Sequence, residues 1–283
     1  MPAIEVTNLH KSYGDLEAVR GISFAVERGE VFGLLGPNGA GKTTTVEILE
    51  GYRSRSAGEV SVLGQDPESR DRRLQERVGI VLQSCGFYPR ATVREAVEHF
   101  AKAYPKPRDP AETIALVGLE DKADEHTKHL SGGQRRRLDL ALALVGDPEL
   151  VFLDEPTTGF DPGARRTAWN VVRRLKELEK TVVLTTHYLD EAQELADRVA
   201  IVKDGAIVAQ GPPDDLRPGS SQYRVSYISQ GRRVEHQTDD PTDLLHRLTR
   251  DALSLGERLD GLEVARPTLE EIYLELTHEA DSV

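Results

Sequence analysis

Residues 36–44 read GPNGAGKTT, and this stretch decides the fold of the chain. The apolar run VFGLL (31–35) comes directly before it, and the helical pattern TTTVEILEG (43–51) follows. Glycines, lysine and threonine in the order G-x-x-x-x-G-K-[ST], between a strand and a helix, are typical of a phosphate-binding loop. The alternative is a glycine-rich turn with an incidental lysine, which would not require this strand and helix on either side.

The residues of this loop suit different parts of a nucleoside triphosphate. Gly36, Gly39 and Gly41 permit backbone angles that are closed to other residues, so that successive amides can turn inward around phosphate oxygens. Lys42 is predicted to reach the β and γ phosphates, and the Thr43 hydroxyl is predicted to bind Mg²⁺. We therefore expect ATP and Mg²⁺ to be bound by the whole loop: Gly36, Pro37, Asn38, Gly39, Ala40, Gly41, Lys42, Thr43 and Thr44.

A second part of the site is predicted at LVFLDEP (150–156), where an apolar strand ends in two carboxylates. Asp154, at the tip of a buried strand, suits the coordination shell of Mg²⁺, and Glu155 suits the polarisation of an attacking water. A solvated strand end without chemistry is the alternative.

Short apolar runs rich in β-branched residues recur along the chain: VFGLL (31–35), VGIVL (78–82), LVFLD (150–154) and TVVLTT (181–186). Each is followed by a turn and a helical pattern, which predicts an α/β fold with a parallel sheet covered on both faces. Between about residues 84 and 147, helical periodicity replaces the strand signal and predicts a helical insertion. One face of its first helix is predicted to carry Val93, Ala96, Val97, Phe100 and Ala101.

The sequence RPGSSQ after Leu216 is typical of a linker. It divides the chain into a predicted large domain of residues 1–218 and an accessory domain of residues 219–283. The accessory domain contains two strand-like runs and two helical patterns, which predict a small α+β unit. The last of these helices has an apolar stripe formed by Leu269, Ile272, Tyr273 and Leu276.

Composition excludes several classes of protein. The net charge of −12 argues against free nucleic acid as the main ligand, because phosphate backbones are bound through a surplus of Lys and Arg. The single cysteine, Cys85, rules out an intramolecular disulfide framework and fits a reducing cytoplasm. No apolar run approaches the roughly 20 residues that cross a bilayer, so we expect no direct membrane insertion.

The sequence LSGGQ (130–134) resembles the signature of ABC ATPases, and further motifs of that family stand in order around it. The matching residues are Tyr13 for the aromatic that stacks on adenine, Gln83 for the Q-loop glutamine, Asp161 for the D-loop aspartate and His187 for the switch histidine. Together with the phosphate-binding loop and the Asp-Glu pair they make six ordered motifs, which are far more specific than any one.

The resemblance covers about residues 3–217, and it implies a P-loop NTPase with a mostly parallel sheet core, an antiparallel β subdomain and a helical insertion. It implies a head-to-tail homodimer, in which each ATP lies between one P-loop and the partner's signature. The signature and D-loop residues implied to contact that nucleotide are Ser131, Gly132, Gly133, Gln134 and Asp161. Catalysis is expected from Glu155 with His187 and Gln83, and Gln83 is also an expected Mg²⁺ ligand.

Each of these family matches has a simpler explanation that the sequence leaves open. Tyr13 lies in the turn sequence KSYGDLE and would also fit a surface tyrosine of a hairpin. Gln83 would fit a polar residue at a strand end, and His187 would fit a cap for the helix that follows it. Asp161 precedes Pro162 and suits an ordinary helix N-cap, which is compatible with a second role.

The signature also has physical properties of its own. Ser131 is a residue type that favours helix N-caps, and a second anion-binding helix start is therefore predicted before QRRRLDLALAL. Three arginines in the first turn oppose the helix dipole, unless an anion or an acidic surface faces them. A triphosphate on another subunit is the expected anion.

The chain has one P-loop, one signature and no long heptad segment, which favours the transporter type of ABC protein. Phe87, Tyr88 and Pro89, after the Q-loop, fit a surface that receives a helix of a separate membrane subunit, or else pack the insertion's own core. The stretches ILEGYRSRSAGEVSVLGQDP and PTLEEIYLELT resemble the ATPases of bacterial drug and lipid exporters of the daunorubicin-resistance type. This implies export and a position at the cytoplasmic face of the membrane. The alternative is an ABC ATPase that acts as a mechanical switch on a soluble partner.

Overall fold

The computed structural model describes residues 1–81, 89–216, 223–229, 232–256 and 258–265. The chain divides into two compact units, Met1–Pro212 and Pro213–Val283. The predicted sites at Gln83, Cys85, Phe87 and Tyr88 lie outside the described residues, as does the predicted final helix with Leu269 and Ile272.

The strands of the first unit form two sheets. They are β1 Ile4–Tyr13, β2 Leu16–Val26, β3 Val31–Leu35, β4 Ala57–Val62, β5 Val78–Val81, β6 Leu150–Asp154, β7 Thr181–Thr186, β8 Arg198–Lys203 and β9 Ala206–Gly211. The larger sheet has the order β5-β6-β7-β3-β8-β9, in which the first five strands are parallel and β9 is antiparallel. The smaller sheet, β2-β1-β4, is antiparallel. The predicted α/β class with an antiparallel subdomain is confirmed.

The helices of the first unit follow the predicted alternation. They are α1 Lys42–Leu49, α2 Arg72–Gln75, α3 Val93–Ala101, α4 Pro110–Leu116, α5 Gly132–Leu144, α6 Pro162–Glu177 and α7 Leu189–Leu195. Helices α3, α4 and α5 lie between β5 and β6 in the chain and form the predicted helical insertion. Among the described residues, no helix is both long and apolar enough to cross a membrane.

Two apolar clusters hold these layers together. One cluster joins the insertion to the parallel sheet, and Val93, Val97 and Ala101 of α3 are buried in it. Phe100, predicted on the same face, instead keeps 42% of its surface exposed. The other cluster lies between the two sheets, where the rings of Phe24 and Phe32 stack with centroids 5.3 Å apart. Burial of aromatic and aliphatic side chains on both sheet faces fixes the positions of the strand ends.

The second unit contains an antiparallel sheet and one described helix. Its elements are β10 Tyr223–Ser229, β11 Arg232–Thr238, α8 Pro241–Ser254 and β12 Asp260–Ala265. The sheet order is β11-β10-β12, and α8 contacts β10. These elements agree with the α+β class predicted after the linker, while β12 is a third strand that the two predicted strand-like runs did not include.

Candidate nucleotide-binding and hydrolysis site

Three neighbouring parallel strands carry the predicted phosphate-handling residues to one edge of the sheet. Strands β6, β7 and β3 are adjacent, and their register pairs Asp154 with Thr185 and Leu35 with Thr186. The loop of Lys42 therefore starts beside the end of β7, where His187 follows, and β6 ends in Asp154 one strand away. Ligands of open α/β sheets bind at this carboxyl edge.

The Lys42 ammonium lies inside the loop that was predicted to bind phosphate. Its Nζ donates to the carbonyl oxygens of Gly36 at 2.7 Å and Pro37 at 3.0 Å, and only 4% of the residue is exposed. Burial lowers the pKa of Lys42, while the negative charges of Glu155 and Asp154 oppose that shift. Carbonyl oxygens accept hydrogen bonds from the ammonium but do not neutralise its charge. A phosphate can therefore still bind to it as the counter-ion.

Two glycines of the loop are required by their surroundings, for different reasons. Gly41 has φ +101°, and a Cβ there would lie 2.5 Å from the Ala18 carbonyl oxygen. Gly36 was expected to need unusual backbone angles, and this is wrong because its φ is not in the left-handed region. It is instead required for close approach, since a Cβ would lie 2.2 Å from the Val202 carbonyl oxygen. Elsewhere in the loop, Pro37, Asn38 and Gly39 are exposed and Ala40 is buried.

Asp154 is oriented by the neighbouring strand. The hydroxyl of Thr185 donates to Asp154 Oδ1, and Thr185 is completely buried. The same hydroxyl oxygen accepts the backbone N–H of Glu155 at 3.0 Å. One threonine side chain thus fixes both acidic residues.

Glu155 has a left-handed backbone, with φ +45°, which is uncommon for a residue with a side chain. Its N–H also donates to the Thr185 carbonyl oxygen at 3.2 Å, so the conformation is fixed from β7. Thr158 Oγ1 donates to Glu155 Oε2 at 3.1 Å. Such anchored, sparsely populated conformations cluster at active sites.

His187 lies beside Glu155 and does not cap the following helix. Its Nδ1 is 3.4 Å from Glu155 Oε1, an ion-pair distance without hydrogen-bond geometry. The N-cap of α7 is Tyr188, without a side-chain cap. The structure therefore excludes the capping alternative and places the imidazole against the predicted catalytic carboxylate.

Two oxygen-bearing side chains at this edge, Asp154 and Thr43, are of the type that magnesium uses in nucleotide sites. The described ranges contain no group of three or more His, Cys, Asp or Glu side chains that would hold a metal ion. Magnesium in nucleotide sites uses one or two protein oxygens together with phosphates and waters. Asp154 and the exposed Thr43 hydroxyl at the start of α1 are of the right chemical type for this.

The signature motif starts α5 with a capping box. Ser131 Oγ accepts the Gln134 N–H at 3.3 Å, and Gln134 Oε1 accepts the Ser131 N–H at 2.8 Å. Ser131 and Gly132 are exposed, and a Cβ at Gly132 would meet nothing within 4 Å. Besides the Gln134 N–H, which the Ser131 hydroxyl accepts, the first amides of an α-helix have no intrahelical acceptor, so this helix start can bind an anion from outside.

Each of the three arginines after the signature donates a hydrogen bond to a backbone carbonyl of the chain. Arg135 donates to the Leu130 carbonyl at 3.1 Å, Arg136 to the Asp154 carbonyl at 3.0 Å and Arg137 to the Gly118 carbonyl at 2.6 Å. Neutral carbonyls accept from all three side chains, and the triphosphate on another subunit stays a prediction.

Tyr13 and Asp161 have local contacts that agree with their simpler explanations and leave a second role open. Tyr13 ends β1 at the hairpin, with Lys11 Nζ and the Arg53 guanidinium 5.0 and 5.3 Å from its ring centroid. With 40% of its surface exposed, the residue still has area on which a base can stack. Asp161 Oδ1 caps α6 by accepting the N–H groups of Gly163 and Ala164.

Glu191 is a buried carboxylate that sequence reasoning missed. It is completely buried on α7, and its Oε1 accepts hydrogen bonds from Thr157 Oγ1 at 2.9 Å and Trp169 Nε1 at 3.2 Å. It thereby joins the segment after Glu155 to α6 and α7. The sequence does contain one sign of it, because Glu191 lies on the apolar face of a short helix. That pattern alone is weak evidence for a buried carboxylate.

We expect Glu191→Leu to destabilise the chain by about 1–3 kcal/mol for each of the two donors left unpaired, and Glu191→Gln to cost much less because it keeps an acceptor oxygen. Burial raises the pKa of Glu191 above its ordinary value, so the folded state resists ionisation. The stability of the parental chain should therefore fall, relative to Glu191→Gln, as pH rises from the unfolded-state pKa towards the raised one. Urea unfolding of both chains at about pH 5 and about pH 8 gives the difference in their free energies of unfolding at each pH. An equal difference at the two pH values would contradict the expectation.

Comparison with known proteins identifies the family of the chain. Residues 19–158 match the family model described as ABC transporter. The Nod factor export ATP-binding protein I of Burkholderia orbicola (strain AU 1054) is 44% identical over 218 residues, 75% of this chain and 72% of that protein. The protein of the same name from Rhizobium meliloti (strain 1021) is 43% identical over 296 residues, 97% of this chain and 88% of that protein.

A solved structure described as the ATP binding subunit of an ABC transporter supports the fold. It has a TM-score of 0.71 and 24% identity, and the match covers 97% of this chain and 99% of that one. The identity with the two bacterial export proteins extends well beyond short motifs. This chain therefore belongs to the ABC transporter family, as an ATP-binding subunit with the family's ATPase domain.

Proposed function

We propose that this chain hydrolyses ATP as one half of a homodimer and thereby drives export through separate membrane subunits. The observation that carries the proposal is the convergence of Lys42, Asp154, Glu155 and His187 at the ends of three adjacent parallel strands. These groups supply a phosphate cation, a metal ligand, a general base and a group that contacts the base.

The proposed chemistry assigns one task to each side chain. Mg²⁺, when bound with ATP, neutralises phosphate charge, and Asp154 and Thr43 of this chain, with Gln83, would hold it. Lys42 binds the terminal phosphates with its ammonium. Glu155 polarises the attacking water and accepts its proton, and His187, beside this carboxylate, senses the γ-phosphate.

The open helix start at Ser131 supports the dimer. Ser131 is exposed, and the backbone N–H groups of a helix start can donate to an anion. We infer that they bind the nucleotide held by the partner's P-loop, with Gly132, Gly133 and Gln134. Asp161, which caps α6 in this chain, would contact the same interface, and Tyr13 would stack on the adenine.

A groove in the first unit supports a membrane partner. It has a volume of about 1160 Å³ and lies between the end of α1, the α2 and β5 region and the insertion helices α3 and α5. The exposed aromatic Phe100 and the apolar Leu74 and Ile80 line it. We infer that a cytoplasmic helix of a membrane subunit docks there and that the chain is thereby held at the cytoplasmic face of the cell membrane.

The direction of transport is inferred from the relatives. Both bacterial proteins are named for export, and this favours an exporter over a switch on a soluble partner. The transported molecule is expected to be selected by the membrane subunit rather than by this chain. The domain of residues 219–283 is proposed to be accessory, since every phosphate-handling residue precedes it.

The experiment is co-expression with the membrane subunit encoded by a neighbouring reading frame that has about six apolar spans. We expect the two proteins to co-purify from detergent-solubilised membranes, and ATP hydrolysis by the complex in vesicles to depend on the transported substrate. Full activity of a chain that never associates with any such subunit would favour the soluble switch instead.

A further inference from the structure

The imidazole of His187 has a buried ring nitrogen that no hydrogen bond orients. None of the described residues donates a hydrogen bond to its Nδ1 or accepts one from it. Glu155 Oε1 lies 3.4 Å away, at an ion-pair distance but without the geometry of a hydrogen bond. A ring that acts on a phosphate beside that carboxylate must nevertheless be held at a defined angle. Its orientation therefore has to come from packing.

The packing partner of the imidazole is the phenol ring of the next residue. The ring centroids of His187 and Tyr188 are 4.1 Å apart, with an angle of 39° between the ring planes. The backbone of Tyr188 is fixed, because its N–H donates to Thr186 Oγ1 at 2.9 Å and its carbonyl accepts the N–H of Ala192 at 3.3 Å. The position of the imidazole thus depends on where the side chain of Tyr188 lies.

A guanidinium from helix α6 lies over the same phenol ring. Arg165 Cζ is 4.5 Å from the centroid of the Tyr188 ring, which is the distance of a cation–π contact. Its Nη1 donates to Asp190 Oδ2 at 2.8 Å, and Oδ1 of that carboxylate accepts the N–H of Glu191 at 3.0 Å. No described residue accepts a hydrogen bond from the buried Nε of Arg165. The guanidinium is therefore held by one carboxylate and one aromatic ring.

We propose that Arg165 is a positioning residue for hydrolysis, which fixes the Tyr188 ring and through it the orientation of His187. The inference rests on the proposed function, because it concerns the switch histidine of the same site. Arginine suits this place, since its planar guanidinium binds a carboxylate and lies against a ring at the same time, which a lysine ammonium does not. The ion pair with Asp190 is accessible to solvent, and such pairs add little to stability. Removal of Arg165 should therefore disturb the imidazole without unfolding the chain.

A second arginine of α6 provides a matched control. Arg173 forms an ion pair with Glu194, so that each of the two arginines joins α6 to α7 through one solvent-accessible carboxylate. Among the cation–π contacts of the described residues, only that of Arg165 involves this helix pair. Arg173→Met therefore tests the loss of an interhelical ion pair alone, and Arg165→Met tests the loss of the ion pair together with the ring contact.

Steady-state hydrolysis by the full chain separates positioning from folding. With Arg165→Met we expect kcat to fall about tenfold or more, while KM for ATP and the thermal unfolding temperature match those of Arg173→Met, which should hydrolyse ATP at the parental rate. Arg165→Lys should recover little of the loss, because it keeps the charge but not the planar group. Tyr188→Leu should lower kcat similarly, whereas Tyr188→Phe keeps the ring and should not. The Arg165→Met, Tyr188→Leu double variant should lose no more than the larger single loss, because both changes act through one contact.

NMR measures the orientation of the imidazole without hydrolysis. The proton on Cε1 of His187, observed in a histidine-labelled chain and assigned with His187→Gln, has a chemical shift that depends on the nearby Tyr188 ring. Arg165→Met should change this shift, and Arg173→Met should leave it at the parental value. An unchanged shift or a parental kcat in Arg165→Met would overturn the role of Arg165 and leave the proposed function standing. Parental hydrolysis by His187→Gln would instead contradict the part of His187 in the proposed function.

Discussion

Replacement of Glu155 by glutamine is expected to lower ATP hydrolysis by roughly 10²–10⁴ while leaving ATP binding at the parental level. The amide keeps the shape of the side chain and the contact with Thr158 but loses the basicity that polarises water. Phosphate release and the affinity for a fluorescent ATP analogue measure the two effects separately.

A matched control for this variant is Glu179→Gln. Glu179 also has a left-handed backbone, with φ +55°, and is exposed just after α6. The control therefore tests the same substitution in the same backbone conformation without the catalytic surroundings, and it should hydrolyse ATP normally. A Glu155→Gln chain with near-parental turnover would show that another group activates the water.

Mixing two inactive chains is expected to restore hydrolysis if the signature acts across the dimer. Ser131→Arg should bind nucleotide as a monomer but hydrolyse none as a homodimer, because the signature faces the partner's ATP. Lys42→Ala should fail to bind ATP productively, since the buried ammonium is lost. The mixed dimer contains one intact pair of P-loop and signature, whereas the parental dimer contains two. Each mixed dimer should therefore regain up to about half of the activity of a parental dimer.

The control for the mixing experiment places both changes in one chain. When the Ser131→Arg, Lys42→Ala double variant is mixed with the parental chain, every mixed dimer lacks an intact site in the trans arrangement. An arrangement within one chain would instead leave the parental half active. Thermal unfolding of Ser131→Arg should also be recorded, because loss of the N-cap costs about 1 kcal/mol by itself.

The sequence predicts those parts of the site that depend on local order. The phosphate loop, the Asp-Glu pair and His187 all follow apolar runs, and parallel strands in one sheet must end at the same edge. Their convergence could therefore be expected before the sheet order was known. Ser131 could likewise be recognised as an N-cap from its position before a helical pattern.

Other features depend on which strands and helices become neighbours. The hydroxyl of Thr185 orients Asp154 only because β6 and β7 are adjacent, and nothing in TVVLTT singles out this threonine. The carbonyl acceptors of Arg136 and Arg137 come from distant segments, so helix-dipole reasoning alone could not identify them. The need for glycine at position 36 also depends on a neighbouring strand, because an added Cβ would meet a carbonyl oxygen of β8.

Helix α1 begins with the phosphate lysine and ends beside the groove, and this has a mechanical consequence. Eight residues of α-helix span about 12 Å, and a segment of this length behaves as a stiff rod because every turn is braced by hydrogen bonds. Tilting such a rod by about 10° about one end displaces the other by about 2 Å. If the helix tilts as a rigid body, no series of side-chain rearrangements is needed between its two ends. Motion at the nucleotide and motion at the groove should therefore occur at the same time.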